Sequence, residues 1–394
     1  MYDWIIIGGG IHGCTVASFL IKNQKTSNDK LLIIDPYSEP MYRWRRNTKL
    51  IGMEYLRSPS VHQIDVDPFS LQKYAQENSL SSSGFYGQYK RPALTLFNEH
   101  CETIINEVNL KNSWHQGKVC SVKKTKGIWK VTTENGEAFL TKNIVISISI
   151  NDQFNIPDWA AEVKAKLPNQ LYHIFDENMD KVEALKPPIV IIGGGITAAH
   201  LSIKLSNLYP GQVTLVKRHP FRVHDFDSDP GWLGPKKLRI FYKVETYEER
   251  RQSINTARNK GSIPKEILLK LKKLKRESKL RIEDGEIQSA KINEDKNISL
   301  VIDIQMLTAQ TIVCSTGFVP SLPNQQWLKE LIEEHKLKCA TCGYPIINQS
   351  LEWCSHLYVS GPLAELEIGP VSRNISGARM AAERIVSSLN YKTE

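Results

Sequence analysis

Tyr2-Asp3-Trp4-Ile5-Ile6-Ile7-Gly8-Gly9-Gly10-Ile11-His12-Gly13 decides how the rest of the chain is read. The apolar run Trp4 to Ile7 predicts a buried strand, the three glycines a turn, and Ile11, Val16, Phe19 and Leu20 one face of a helix. A second apolar run, Leu31 to Ile34, ends at Asp35-Pro36 and completes a β-α-β unit. Within it, Gly8-x-Gly10-x-x-Gly13 has the spacing that lets a dinucleotide pyrophosphate meet a helix start: the first glycine turns the chain, the second admits the phosphates, and the third lets helix and strand pack closely. Asp35, about twenty residues further on, stands where a carboxylate accepts hydrogen bonds from a ribose hydroxyl pair. The rival reading is a tight turn followed by a surface acid; strand, spacing and acid together favour the nucleotide.

The pattern occurs twice. Ile189 to Ile192 leads into Gly193-x-Gly195-x-x-Ala198, a helical pattern runs through Ala199, Ile203 and Leu205, and Val213 to Val216 supplies the next strand. Alanine in the third place is still small enough for close packing. Where the first unit has Asp35, the second has Lys217-Arg218. Two cations attract a 2′-phosphate that an acid would repel, which favours NADPH over NADH, although strand ends also carry Lys and Arg for solubility alone.

The expected fold class is therefore α/β, an FAD-binding Rossmann-like domain with an inserted NADPH-binding Rossmann-like domain. The boundaries read as residues 1–186 for the first part of the FAD domain, 187–311 for the inserted domain and 312–394 for the second part. The runs Thr311 to Cys314 and Leu357 to Val359 are expected to rejoin the first sheet. Tyr37 to Asp67 reads as a structured loop, Phe69 to Asn78 and Leu94 to Val108 as helices, Val119 to Leu140 as an antiparallel hairpin with an Asn135-Gly136 turn, and Ile144 to Ile150 as a strand.

The chain of 394 residues carries a formal net charge of +9, densest from Lys265 to Arg281, where Ile267, Leu268, Leu271 and Leu274 form an apolar stripe. That pattern reads as a solvated helix docked on the second domain; nucleic-acid binding is not expected, because aromatic anchors are absent. No run of about eighteen apolar residues predicts a membrane span. Seven cysteines, with no visible secretion signal, point to reduced thiols and a cytoplasmic setting. Gly-x-Ser-x-Gly, P-loop and His-Glu-x-x-His patterns are absent, and no metal site is expected.

Two dinucleotide sites in one chain, one with an acid and one with a basic pair, imply hydride transfer from NADPH to bound FAD. Over nearly its whole length the sequence resembles the two-dinucleotide-domain flavoproteins, nearest the flavin-containing and N-hydroxylating monooxygenases that include lysine and ornithine hydroxylases. Ser315-Thr316-Gly317-Phe318 is similar to the Ala-Thr-Gly-Tyr element with which that group leaves the inserted domain, and His173 resembles its linker histidine, without the aromatic-glycine lead-in. Gly361-Pro362-Leu363-Ala364-Glu365-Leu366, with Gly369-Pro370 and a helix from Ile375, resembles its C-terminal flavin-contacting turn.

Trp44, Arg57 and Ser58 fall where related enzymes let a loop cover the flavin, so the resemblance implies flavin contacts there; an ion-paired Arg and a turn-forming Ser fit the same residues equally well. Cys339-Ala340-Thr341-Cys342 has the spacing of a redox dithiol but lies outside the inserted domain, so structural thiols are expected. The implied activity is transfer of one oxygen atom from O₂ to a nucleophilic nitrogen, sulfur or carbon of a small molecule. The alternatives are a flavin reductase serving a disulfide, quinone or protein, and a nucleotide-binding redox sensor without turnover. No side chain identifies itself as a general acid or base, the oligomeric state is open, and the acids Asp225, Asp227 and Asp229 are candidates to meet a cationic amine.

Overall fold

The computed structural model describes residues 1–150, 153–303 and 305–390. β1 (Tyr2–Ile7), α1 (Ile11–Lys22) and β2 (Leu31–Asp35) form the expected unit, with β1 and β2 parallel from Trp4↔Leu31 to Ile7↔Ile34. The segment expected to be a loop contains α2 (Tyr42–Ile51), a correction to the sequence reading. Only Thr48, Leu50 and Ile51 of this polar helix are buried, too few for a periodic signal, and Gly52 at φ +71 ends it in the left-handed conformation glycine favours. α3 (Ser70–Glu77) and α4 (Leu94–Glu107) follow as expected.

β3 (Trp114–Gln116) extends the sheet beside β2, and β4 (Val119–Thr125), β5 (Ile128–Thr133) and β6 (Ala138–Ile146) form an antiparallel meander. The far end of β6 then runs parallel to β1, reaching Ile7↔Ile146. β1 is thus central, and Ile5 and Ile6 are fully buried, as a run apolar on both faces requires.

The inserted unit begins earlier than the sequence indicates. α5 (Asp158–Lys166) and β7 (Leu171–His173) precede β8 (Ile189–Ile192), α6 (Ile196–Leu208) and β9 (Val213–Lys217). Next come α7 (Pro235–Tyr242), α8 (Tyr247–Ala257), α9 (Lys265–Arg276), β10 (Leu280–Asp284) and an antiparallel layer of β11 (Ile287–Ile292), β12 (Ile298–Ile302) and β13 (Gln305–Ala309), then β14 (Thr311–Cys314). The parallel order is β10-β9-β8-β14-β7. So β14 belongs to the second sheet, pairing Ile192↔Cys314, and does not rejoin the first; the boundaries at 187 and 311 cut β7 and β14 away from their partners. A short buried apolar strand carries no feature that names its sheet, and three residues of β7 are too few to show a period.

Alternation explains the layers. Ile189 and Ile191 face α6 and α9, in one core with Leu201, Leu205, Ile267 and Leu271, while Val190, Val216 and Ile312 face α5 and the antiparallel layer. The basic helix α9 is docked as expected, by Ile267, Leu271 and Leu274. After α10 (Gln326–Glu334) and β15 (Glu352–Cys354), β16 (Leu357–Val359) does rejoin the first sheet, parallel to β6. α11 (Ile375–Asn390) packs against α1. Among the described residues no helix is long and apolar enough to cross a membrane.

Candidate cofactor sites

The first glycine turn is held from three sides. Gly8 N–H donates to the Ile34 carbonyl at 2.9 Å, Met41 N–H to the Gly9 carbonyl at 2.9 Å, and Ser147 N–H to the Ile7 carbonyl at 2.8 Å. Gly8 has φ +102, and a Cβ there would lie 2.8 Å from the Ser147 carbonyl oxygen; at Gly13 it would lie 1.9 Å from the carbonyl oxygen of Gly8. At Gly10 a Cβ would meet nothing within 4 Å, so the face over the helix start is open. First-turn amides of a helix have no intrahelical acceptor and carry the positive end of its dipole. This open face at the start of α1 fits the pyrophosphate of a dinucleotide.

Asp35 lies beside that face. Its Oδ2 accepts from Gly9 N–H at 2.6 Å and its Oδ1 from Tyr37 N–H at 3.0 Å, leaving each oxygen a further lone pair for a ribose hydroxyl. Burial raises its pKa, and the Gly9 and Tyr37 amides oppose that shift.

The C-terminal turn closes on the same helix. Ser360 N–H donates to the Ile146 carbonyl at 2.9 Å, and Ser360 Oγ lies 3.0 Å from His12 Nδ1. Gly361, at φ +71, leaves room for the His12 ring, which a Cβ would approach to 3.4 Å. Burial lowers the His12 pKa to about 4, so the ring is neutral near pH 7. Gly369, at φ +94, faces Phe241 and Leu238 of α7. Between the two glycines, Glu365 is 1% exposed and gripped by Arg373, at 2.7 Å and 2.9 Å, and by Arg251 of α8. Neither His12 nor this Glu-Arg-Arg cluster stands out in the sequence, since His12 and Ser360 are 348 residues apart and Arg251 and Glu365 are 114 apart.

The second turn repeats two of the first turn's three backbone bonds. Gly193 N–H donates to Val216 at 2.9 Å and Ser315 N–H to Ile192 at 2.8 Å; a Cβ on Gly193 would lie 2.6 Å from the Ser315 carbonyl oxygen. Because Ile192 pairs with Val216 as Ile7 pairs with Ile34, Lys217 occupies the position of Asp35. Its side chain is 5% exposed, ion-paired with Asp284 and 4.7 Å above the Phe221 ring. Arg218 is 74% exposed, 4.0 Å from Glu286, and is the more available cation. The His219 ring, which carries no signal in the sequence, lies against Gly194, whose Cβ it would approach to 3.3 Å.

Trp44, Arg57, Thr316 and Gly317 have structural partners. Trp44 donates to Asn98 at 3.0 Å and packs on Phe97. Arg57 donates to the carbonyls of His224, Asp225, Phe226 and Ser262 and to Ser262 Oγ, at 2.6 to 3.4 Å, so its position is that of a clasp between the two domains; Ser58 is half-buried beside it. Arg91–Glu266 at 2.5 Å and Lys270–Glu54 at 2.5 Å join the same seam, around a cavity of about 50 Å³ that His200 also lines. Thr316 Oγ1 donates to the Asn155 carbonyl, and Gly317, at φ +80, presents its carbonyl to His173 Nε2 at 3.1 Å. His173 stacks on Phe154 at 4.2 Å and burial lowers its pKa to about 4.

Asp227 is paired with Arg258 and Asp229 with Lys237, both at 3.1 Å, and Asp225 gives its carbonyl to Arg57. Asp229 and Lys237 line an open groove of about 830 Å³ with Trp232 and Ile240. No group of three metal-ligating side chains occurs among the described residues.

Known proteins share this architecture. A family model for FAD-NAD(P)-binding regions matches residues 5–151. The ornithine hydroxylase of Pseudomonas aeruginosa is 18% identical with a TM-score of 0.77, and each chain covers the other completely. The ornithine N-hydroxylase of Kutzneria sp. 744 gives 15% and 0.79 over the full length of both. The fold is that of the two-dinucleotide-binding flavoproteins. A bacillithiol disulfide reductase of Staphylococcus aureus shares this flavoprotein fold at 16% identity and a TM-score of 0.63, covering all of this chain and 99% of its own. Among curated proteins, the uncharacterised oxidoreductase CzcO of Bacillus velezensis is 24% identical over 207 residues, 52% of each chain, so the match spans about half of that relative.

Proposed function

We propose that this chain is an NADPH-dependent FAD oxidoreductase that transfers one oxygen atom from O₂ to a nucleophilic atom of a small molecule. The observation that carries the reading is the pair of equivalent glycine turns with opposite residues at one register position, Asp35 and Lys217. Asp35 would hold the ribose of FAD and the amides at the start of α1 its pyrophosphate. The second turn would hold NADPH, with Arg218 reaching the 2′-phosphate and Lys217 exchanging Asp284 for it. Bound FAD supplies the redox and oxygen chemistry. The protein's part is to fix the turn at Ser360–Gly361 through His12, hold the inserted domain through Arg57, and keep bulk water from the space between the domains.

The fold shared with two ornithine hydroxylases supports oxygen transfer, and the fold shared with a disulfide reductase supports a second reading, reduction of a disulfide. One screen separates them. NADPH oxidation is followed with amines, thioethers and disulfides while O₂ uptake is recorded. Oxygen transfer requires NADPH, O₂ and hydroxylated or S-oxidised product in equal amounts; NADPH oxidation that needs a disulfide and no O₂ supports the reductase.

A further inference from the structure

The sequence Cys339-Ala340-Thr341-Cys342 has no part in the proposed reaction, yet its surroundings are specific. The chain from Lys338 to Ile346 is a closed loop: Ala340 N–H donates to Tyr344 at 2.9 Å, Gly343 N–H to Ala340 at 2.8 Å, and Ile346 N–H to Lys338 at 2.9 Å. The turn closed by Gly343 on Ala340 begins one residue after Cys339 and holds Cys342 at its third position, so the backbone reverses between two cysteines that have the Cys-x-x-Cys spacing of redox pairs. Cys342 is exposed and Cys339 half-buried, whereas Cys14, Cys101 and Cys314 are buried.

The helix α8 grips this loop twice. Glu248 Oε1 accepts from Thr341 Oγ1, between the two cysteines, at 2.5 Å. One turn on, Arg251 lies 3.9 Å over the Tyr344 ring and within hydrogen-bonding reach of Cys342, with its Nε and Nη2 buried. Its Nη1 is bound to Glu365, in the turn between Gly361 and Gly369. An exposed thiol beside a guanidinium is open to attack on an oxidant, with a hydrogen-bond donor next to its sulfur.

We propose that Cys339 and Cys342 are a peroxide-sensing dithiol that closes to a reversible disulfide beside the C-terminal turn. Cys342 thiolate attacks one oxygen of a hydroperoxide; the S–O bond forms, the O–O bond breaks, and the second oxygen leaves as hydroxide or alkoxide. Cys339 then attacks the Cys342 sulfur, the S–S bond forms, the S–O bond breaks, and hydroxide leaves with the Cys339 proton as water. With hydrogen peroxide the sum is two thiols and one peroxide to one disulfide and two waters. Burial, and then the charge of Cys342, raise the Cys339 pKa, which keeps it protonated as the resolving thiol. Closure engages the Cys342 sulfur beside Arg251, the residue that ties α8 to Glu365.

The test is a peroxide titration of the full-length protein, followed by alkylation and non-reducing peptide mapping. The expected result is loss of two thiols and a Cys339–Cys342 disulfide, reversed by dithiothreitol, forming before Cys120 or Cys354 reacts. Arg251→Gln, checked for an intact thermal transition, slows closure about tenfold. Recovery of both cysteines fully alkylated after excess peroxide overturns the proposal. So does a sulfinic acid at Cys342 with Cys339 still free, which shows a reactive thiol without a resolving partner. An unchanged rate in Arg251→Gln overturns the role given to Arg251.

Discussion

The two glycine turns are the same device with two different endings. Each places a strand, an amide donated to the neighbouring strand and a carbonyl from the strand on the other side in matching register, Ser147 beside Gly8 and Ser315 beside Gly193. They differ in how closely helix meets strand and in which charge ends the next strand. At Gly13 there is no room for a methyl group; the second turn accommodates the methyl of Ala198. Under the proposed function the scaffold would fix where a pyrophosphate lies, and the residues that end the next strand, Asp35 in one unit and Lys217-Arg218 in the other, would select the ribose.

Breaking that comparison at its tightest point should have the largest effect. In Gly13→Val the side chain must displace the Gly8 carbonyl, an overpacking expected to cost about 3 kcal/mol and to abolish FAD retention, while Ala198→Gly costs about 1 kcal/mol and leaves FAD bound. Urea unfolding and the flavin content of the purified protein measure both; equal losses at the two sites would erase the distinction.

Acid should act on both halves. His12, His62 and His100 in the first domain and His173 and His200 in the second unit have pKa values lowered by burial to about 4. Their unfolded forms bind protons at higher pH than the folded forms, so the stability they contribute is complete above pH about 6.5 and is lost as pH falls toward 4. A tenfold difference in proton affinity between folded and unfolded chain is worth about 1.4 kcal/mol, enough to register in urea unfolding. A urea midpoint that does not fall across this window contradicts the neutral buried state.

The charge difference is sharpened by Arg218→Ala. Removing the exposed cation should raise KM for NADPH about tenfold to a hundredfold, leave KM for NADH nearly unchanged, and not alter FAD content. If both coenzymes weaken equally, Arg218 contributes nothing to 2′-phosphate recognition. A smaller effect is expected from Arg57→Lys, which loses most of the carbonyl contacts to the 224–226 segment: KM for NADPH rises a few-fold at constant FAD content. A loss of FAD in this variant would instead place Arg57 at the flavin.

Both β-α-β units were legible because their signals are local. Gly8 to Gly13 and Gly193 to Ala198 each state a strand, a turn and a helix within a few residues, and Asp35 and Lys217 sit at offsets that the strand pairing reproduces. What was not legible depends on contacts between distant residues. β14 reads the same in either sheet until its pairing with β8 is known, and α2 buries too little to show a period. Arg57 looks identical in sequence whether it meets a phosphate or four carbonyls. His12 lies within the first glycine motif, but its partner Ser360 is 348 residues away.

Anaerobic titration of the FAD-loaded protein with NADPH puts the assignment of two unlike sites to its most direct test. The visible flavin band should bleach at one equivalent of NADPH and far more slowly with NADH. A polypeptide that stays colourless when offered FAD, or one whose bound flavin NADPH never bleaches, would contradict it.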